Sequence, residues 1–121
     1  MTSIEGLEAM SFEKLSIIRP PYYAVIFTSM RTDGDNGYEA MAEQMFNLCS
    51  EQPGFLGIES ARGENGLGIS VCYWESLEAI KSWKENAEHL EAQLKGRTVW
   101  YRQYKTRICK VESDYEFNKN V

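Results

Sequence analysis

Two runs of strand-forming residues, Phe55–Arg62 and Leu67–Trp74, are separated only by Gly63-Glu64-Asn65-Gly66. The Asn-Gly pair supplies the positive φ values of a tight reversal, so the runs pair as an antiparallel hairpin. Side chains alternate along a strand, so in the second run Ile69, Val71 and Tyr73 share one face and Ser70, Cys72 and Trp74 the other. Both faces carry apolar residues. Both therefore need cover.

The segments on either side of the hairpin extend the pattern. Tyr22–Arg31 (YYAVIFTSMR) is β-branched and aromatic, bounded by Pro20-Pro21 and by Asp33-Gly34-Asp35, and reads as another strand. Asp35 or Asn36 can cap the next helix, along which Tyr38, Met41, Met45, Leu48 and Cys49 recur at helical spacing before Pro53-Gly54 ends it. After the hairpin, Ser76 is the candidate cap for a helix with Leu77, Ile80 and Trp83 inward. Asn86 offers a second cap, followed by Ala87, Leu90 and Leu94, with Gly96 as the stop. These residues read as two short helices with a break near Asn86, one continuous helix being the close alternative. Thr98–Val111, rich in Val, Trp, Tyr, Thr and Ile, reads as a long final strand.

The order β-α-β-β-α-β predicts an α+β, ferredoxin-like domain with an antiparallel sheet. It occupies residues 20–112. An extension, 1–19, precedes it, with a short helical turn over Ser11–Leu15, and a polar tail, 113–121, carries Tyr115 and Phe117. Helices cover one face of such a sheet, so a second copy is the simplest cover for the other. The pattern thus predicts a face-to-face homodimer.

Charge narrows the partners. The 121 residues carry a formal net charge of -5, which argues against a phosphate-neutralising nucleic-acid binder. No apolar run approaches the ~20 residues of a membrane span, and the N-terminus lacks a signal peptide's order, so a cytoplasmic protein is expected. Cys49, Cys72 and Cys109 are odd in number, widely spaced and flanked by apolar residues, which predicts reduced core thiols rather than a disulfide framework. One His and no ligand spacing predict no metal site.

Local motifs carry a resemblance. Gln52-Pro53-Gly54-Phe55-Leu56-Gly57, Tyr73-Trp74-Glu75-Ser76-Leu77-Glu78-Ala79, Trp83 and His89 resemble the antibiotic biosynthesis monooxygenase (ABM) domain family of the dimeric α/β-barrel superfamily. The likeness spans about residues 20–112. It implies a homodimeric barrel with a small-molecule pocket between each sheet and its helices. It also implies cofactor-independent oxygenation, without metal or flavin, of a small aromatic phenol or quinol. The same superfamily holds non-catalytic binding or stress-response dimers and a haem-degrading branch. That branch resembles an Asn on the first strand, a Trp after W-E-S and a haem-ligating His ten residues later. Here those positions fall on Thr28, Trp83 and Gln93, with His89 one turn earlier, so haem degradation is the weaker reading.

His89 is the candidate catalytic base, because its unperturbed pKa lies near neutrality and a cofactor-free oxygenase must first make a phenolate. The plainer alternative is that it faces water on a polar helix face. Trp74 and Trp83 are candidate walls of an aromatic pocket, although Trp83 on the inward stripe also suits the core. Tyr23, Thr28, Gln93 and Tyr101 complete the candidate substrate-binding set. Tyr104, Arg102 and Arg107 are weaker candidates, since strand Tyr and Arg residues usually have structural or solvent partners.

Overall fold

The computed structural model describes residues 15–119. Its elements are β1 (Tyr22–Arg31), α1 (Tyr38–Ser50), β2 (Phe55–Arg62), β3 (Leu67–Trp74), α2 (Leu77–Glu85), α3 (Ala87–Lys95), a π-helical turn (Gly96–Trp100) and β4 (Tyr101–Val111). The four strands form one antiparallel sheet in the order β2-β3-β1-β4. The expected α+β, ferredoxin-like arrangement is thus the observed one. The helical turn expected over Ser11–Leu15 lies, but for Leu15, outside the described residues.

Register decides which side chains share a face. Val25, Cys72 and Ile58 stand in one cross-strand row, and Tyr23 stands opposite Trp74. These residues meet the helices, where Cys49, Trp74 and Ile80 are buried with Tyr23, Val25, Phe55, Ala79 and Trp83 around them. The other face carries Tyr22, Ala24, Ile26 and Thr28, with Ile69, Val71 and Tyr73 opposite them on β3. None of these residues belongs to either core cluster, though Tyr22 and Ala24 are buried, the Tyr22 hydroxyl donating to Asp114 at 2.6 Å.

Local chemistry starts each helix. Asp35 accepts hydrogen bonds from the N–H groups of Gly37 and Glu39, at 3.0 and 3.1 Å, which satisfies donors at the start of α1. Ser76 caps α2 by accepting from Ala79 N–H at 3.1 Å. Gly54 turns the chain between α1 and β2 with φ +89°, and a Cβ there would lie 2.6 Å from Ala79 Cβ. Where α2 packs on this turn there is therefore no room for a side chain at position 54. The inward stripe of α2 is Ala79, Ile80 and Trp83, while Leu77, expected inward, is 55% exposed.

The chain departs from expectation at three further points. Gly96 does not stop a helix: it is right-handed, and the helix runs on as a π-turn to Trp100. Its lack of a side chain accommodates the Tyr101 ring, which would lie 3.1 Å from a Cβ. Trp100 remains helical because its indole N–H donates to Asn36 O at 2.9 Å and its ring meets Tyr38 edge-on. The last strand therefore begins at Tyr101, not Thr98. Finally, Cys109 is exposed, because it lies opposite Ala24 on edge strand β4, away from the helices.

Candidate functional site

The junction of α2 and α3 is a cap on two sides. Asn86 leaves helical geometry with φ -59° and ψ 132°, which separates the two helices. Its side-chain oxygen accepts from the N–H groups of Glu88 and His89 at 3.0 and 3.2 Å. The break returns α3 over the end of α2, where Trp83 O accepts from the Asn86 N–H at 3.1 Å and the last carbonyls can take side-chain donors.

His89 and Gln93 meet those carbonyls. His89 Nδ1 lies 2.9 Å from Trp83 O, and Gln93 Nε2 donates to Lys84 O at 2.9 Å. A carbonyl only accepts, so Nδ1 carries the proton and Nε2 holds the free lone pair of the neutral ring. Gln93 Nε2 also approaches Nδ1 at 3.3 Å, but both atoms are then donors, so this is a contact rather than a bond. Burial lowers the His89 pKa below its ordinary 6.5, partly opposed by the bond to Trp83 O. The imidazole is neutral at pH 7. Its available chemistry is proton acceptance at Nε2.

Aromatic rings extend from this imidazole into the core. His89 stacks on Trp83 with centroids 4.1 Å apart and planes 14° from parallel. Trp83 stacks on the fully buried Trp74 at 6.4 Å and 28°, and Phe55 meets Trp74 edge-on at 5.7 Å. Tyr23 joins the series by its pairing with Trp74.

Of the residues singled out from the sequence, the fold brings together Tyr23, Trp74, Trp83, His89 and Gln93. Tyr101 belongs to a neighbouring cluster, where its hydroxyl lies 3.4 Å from that of Tyr38 and burial raises its pKa. Thr28 is not brought to the set. It pairs with Ile69 and Lys105 on the face away from the helices, one residue out of phase with Phe27 and Ser29.

Sequence reading missed a polar cluster beside Tyr38. The Arg31 guanidinium lies 3.7 Å above the Tyr38 ring, and Arg62 Nη2 donates to buried Ser29 Oγ at 2.8 Å. Arg62 crosses the sheet above Gly68, where a Cβ would meet its Cζ at 2.5 Å. Only the register that places Ser29, Gly68 and Arg62 in one row exposes this link. A recess of about 390 Å³ beside it is lined by Arg31, Asp35, Arg62, Gly63 and Asn65 among others. Another, of about 610 Å³, is lined by Ile17, Ile18, Pro21, Phe55, Leu56 and Glu75 among others. Neither recess is lined by His89, Trp74 or Trp83. Among the described residues, no three or more His, Cys, Asp or Glu side chains gather to hold a metal, and no helix is long and apolar enough to cross a membrane.

Comparison with known proteins places this geometry among relatives. The family model described as antibiotic biosynthesis monooxygenase matches residues 21–95. The uncharacterized protein YqjZ of Bacillus subtilis (strain 168) is 50% identical over 102 residues, which is 84% of this chain and 90% of that protein. SnoaB, a cofactor-independent oxygenase from Streptomyces nogalater, superposes with a TM-score of 0.68 at 10% identity, over 78% of this chain and 97% of its own. Rv0793 from Mycobacterium tuberculosis gives 0.68 at 13% identity, over 78% and 99%. At such identities the structural likeness speaks for the fold.

Proposed function

Because the chain belongs to the antibiotic biosynthesis monooxygenase family, we propose that it oxygenates a small phenol- or quinol-like aromatic without a resident metal or flavin. One observation carries the reading. His89 is held by Trp83 O so that Nε2 is a neutral proton acceptor beside stacked indoles. Nε2 takes the phenolic proton, and the phenolate becomes the electron donor to dioxygen. For a simple phenol the balance is phenol plus dioxygen to quinone plus water, with all four electrons drawn from the substrate. The cofactor-independent oxygenase SnoaB shares the fold, which is in keeping with this chemistry.

The test is oxygen uptake by metal-free protein across a panel of dihydroxy-aromatics, beside His89→Ala. Uptake that vanishes in the variant supports the assignment. Uptake unchanged in the variant removes His89 from it.

A second reading, a binding dimer without catalysis, has its own support. His89 and Gln93 already serve the end of α2, and neither recess reaches them. It predicts saturable quenching of Trp fluorescence by an aromatic ligand with no oxygen consumed. The haem-degrading reading is weaker still, since the Gln93 amide is engaged by Lys84 O; a His89-dependent Soret band on haem titration would restore it.

We also take the working unit to be a homodimer joined through the open sheet face. Leu67 and Ile69 there are 46% and 47% exposed. One row across that face reads Glu59, Val71, Ile26, Arg107, acid at the β2 edge and base at the β4 edge. A two-fold axis along the strands would set each Glu59 against the other copy's Arg107. Three free thiols suit the reducing cytoplasm in which we place the protein.

A further inference from the structure

Two of the three cysteines lie together although they are distant in sequence. Cys72 is central in β3, opposite Val25 and Ile58, on the side that meets the helices. Cys49 sits in the last turn of α1, 3% exposed, in the same core cluster as Trp74 and Ile80, and Cys72 packs against that cluster. Both thiols therefore belong to one core cluster on the helix side of the sheet. We propose that Cys49 and Cys72 are a redox pair, closing to a reversible disulfide when the protein meets a hydroperoxide.

The two sulfurs have different parts in the step. Cys49 is deeply buried, and its pKa is raised by the neighbouring Cys72 thiol and by burial, so it keeps its proton. Cys72 is only half-buried, so it is the sulfur a small oxidant reaches first. Its attack on ROOH breaks the O–O bond, giving Cys72–SOH and ROH. The Cys49 sulfur then attacks the sulfenic sulfur, the S–O bond breaks, and the Cys49 proton leaves with the hydroxyl as water. The peroxide is reduced by two electrons, which the two thiols supply. Cys109 takes no part, because it stands on the opposite face of the sheet.

Closure would tie the end of α1 to the strand that carries Trp74, the innermost indole of the series leading to His89. Redox state would thereby act on the packing of that series. The inference stands whether or not the protein is an oxygenase.

Trypsin separates all three cysteines, since Arg31, Arg62, Lys81, Arg107 and Lys110 bound their peptides. Native full-length protein treated with hydrogen peroxide, quenched, unfolded and alkylated should fall from three reactive thiols to one. The map should show residues 32–62 joined to residues 63–81, with the link removed by dithiothreitol and present also in Cys109→Ser. Separate alkylated peptides for Cys49 and Cys72 would overturn the proposal. So would irreversible sulfinic acid at Cys72 without a link, or a link that disappears in Cys109→Ser.

Discussion

His89 and Trp83 touch twice: ring on ring at 4.1 Å, and Nδ1 to carbonyl oxygen at 2.9 Å. One residue thus supplies both the surface beneath the imidazole and the acceptor that fixes its tautomer. The structural use of His89 thus coincides with the catalytic one we propose, and paired variants separate the two.

His89→Gln and His89→Ala separate them by comparison. Either variant should lower turnover by about 10²-fold or more, the ordinary worth of a positioned base. Loss of the bond and the stacking in His89→Ala should cost about 1–2 kcal/mol of stability, read by urea unfolding. A variant that unfolds at room temperature would mean that His89 is chiefly structural.

Acid should disarm and destabilise the protein together. The folded His89 pKa is lowered from 6.5 by burial, so just below pH 6.5 the unfolded chain binds a proton that the folded chain refuses. His89 therefore contributes full stability above pH 6.5 and progressively less as pH falls toward its folded pKa, with a slope of at most about 1.4 kcal/mol per pH unit. In the same direction, kcat should rise with pH through the lowered pKa and be level at neutrality. A stability profile unchanged between wild type and His89→Gln from pH 7 to 5 would contradict this.

Asn86→Ala removes the acceptor of two N–H groups at the start of α3, one of them that of His89. A cost of about 1 kcal/mol is expected in thermal unfolding. Because the cap also aims His89, kcat should fall while KM changes little. An effect on stability alone would confine Asn86 to a structural role.

Gly54→Ala and Gly37→Ala make a matched pair. Both glycines have positive φ, +89° and +85°, but only a Gly54 Cβ meets another side chain, Ala79 at 2.6 Å. Gly37→Ala should cost about 1 kcal/mol for backbone strain alone, whereas Gly54→Ala adds overpacking and should cost about 2–4 kcal/mol. Equal losses in chemical denaturation would show that α2 slides freely away from the turn.

Ile69→Glu tests the homodimer. A charge in the middle of the open face, next to Thr28 and one row from Val71, should turn a dimer into a folded monomer by light scattering at micromolar concentration. Wild-type protein that is already monomeric would dispose of the interface.

The sequence made the hairpin, both edges of β1 and the caps at Ser76 and Asn86 legible, because each rests on near neighbours in the chain. Tertiary partners overrode propensity elsewhere. Val99 and Trp100 have strand character, yet Asn36 O and the Tyr38 ring hold Trp100 in a helical turn. Gly96 resembled a stop because the Tyr101 ring that needs its bare backbone comes later in the chain. At the candidate site, Trp83 and His89 were readable as residues, but their stacking depends on the turn at Asn86. Thr28 followed from the resemblance, and the register puts it on the face away from the helices; the Arg62–Ser29 bond could not be found without that register.

Strand β4 closes one side of the sheet and presents Arg102, Lys105, Arg107 and Lys110 with no acidic residue, in a chain whose net charge is -5. Negative charge is therefore concentrated elsewhere, and the molecule is electrically lopsided. Two such borders repel, which disfavours pairing of β4 with the β4 of another copy. The same border attracts whatever is acidic, including, in the homodimer we propose, the Glu59 side of the other copy. A single strip of cations thus sorts encounters by charge before any contact is made.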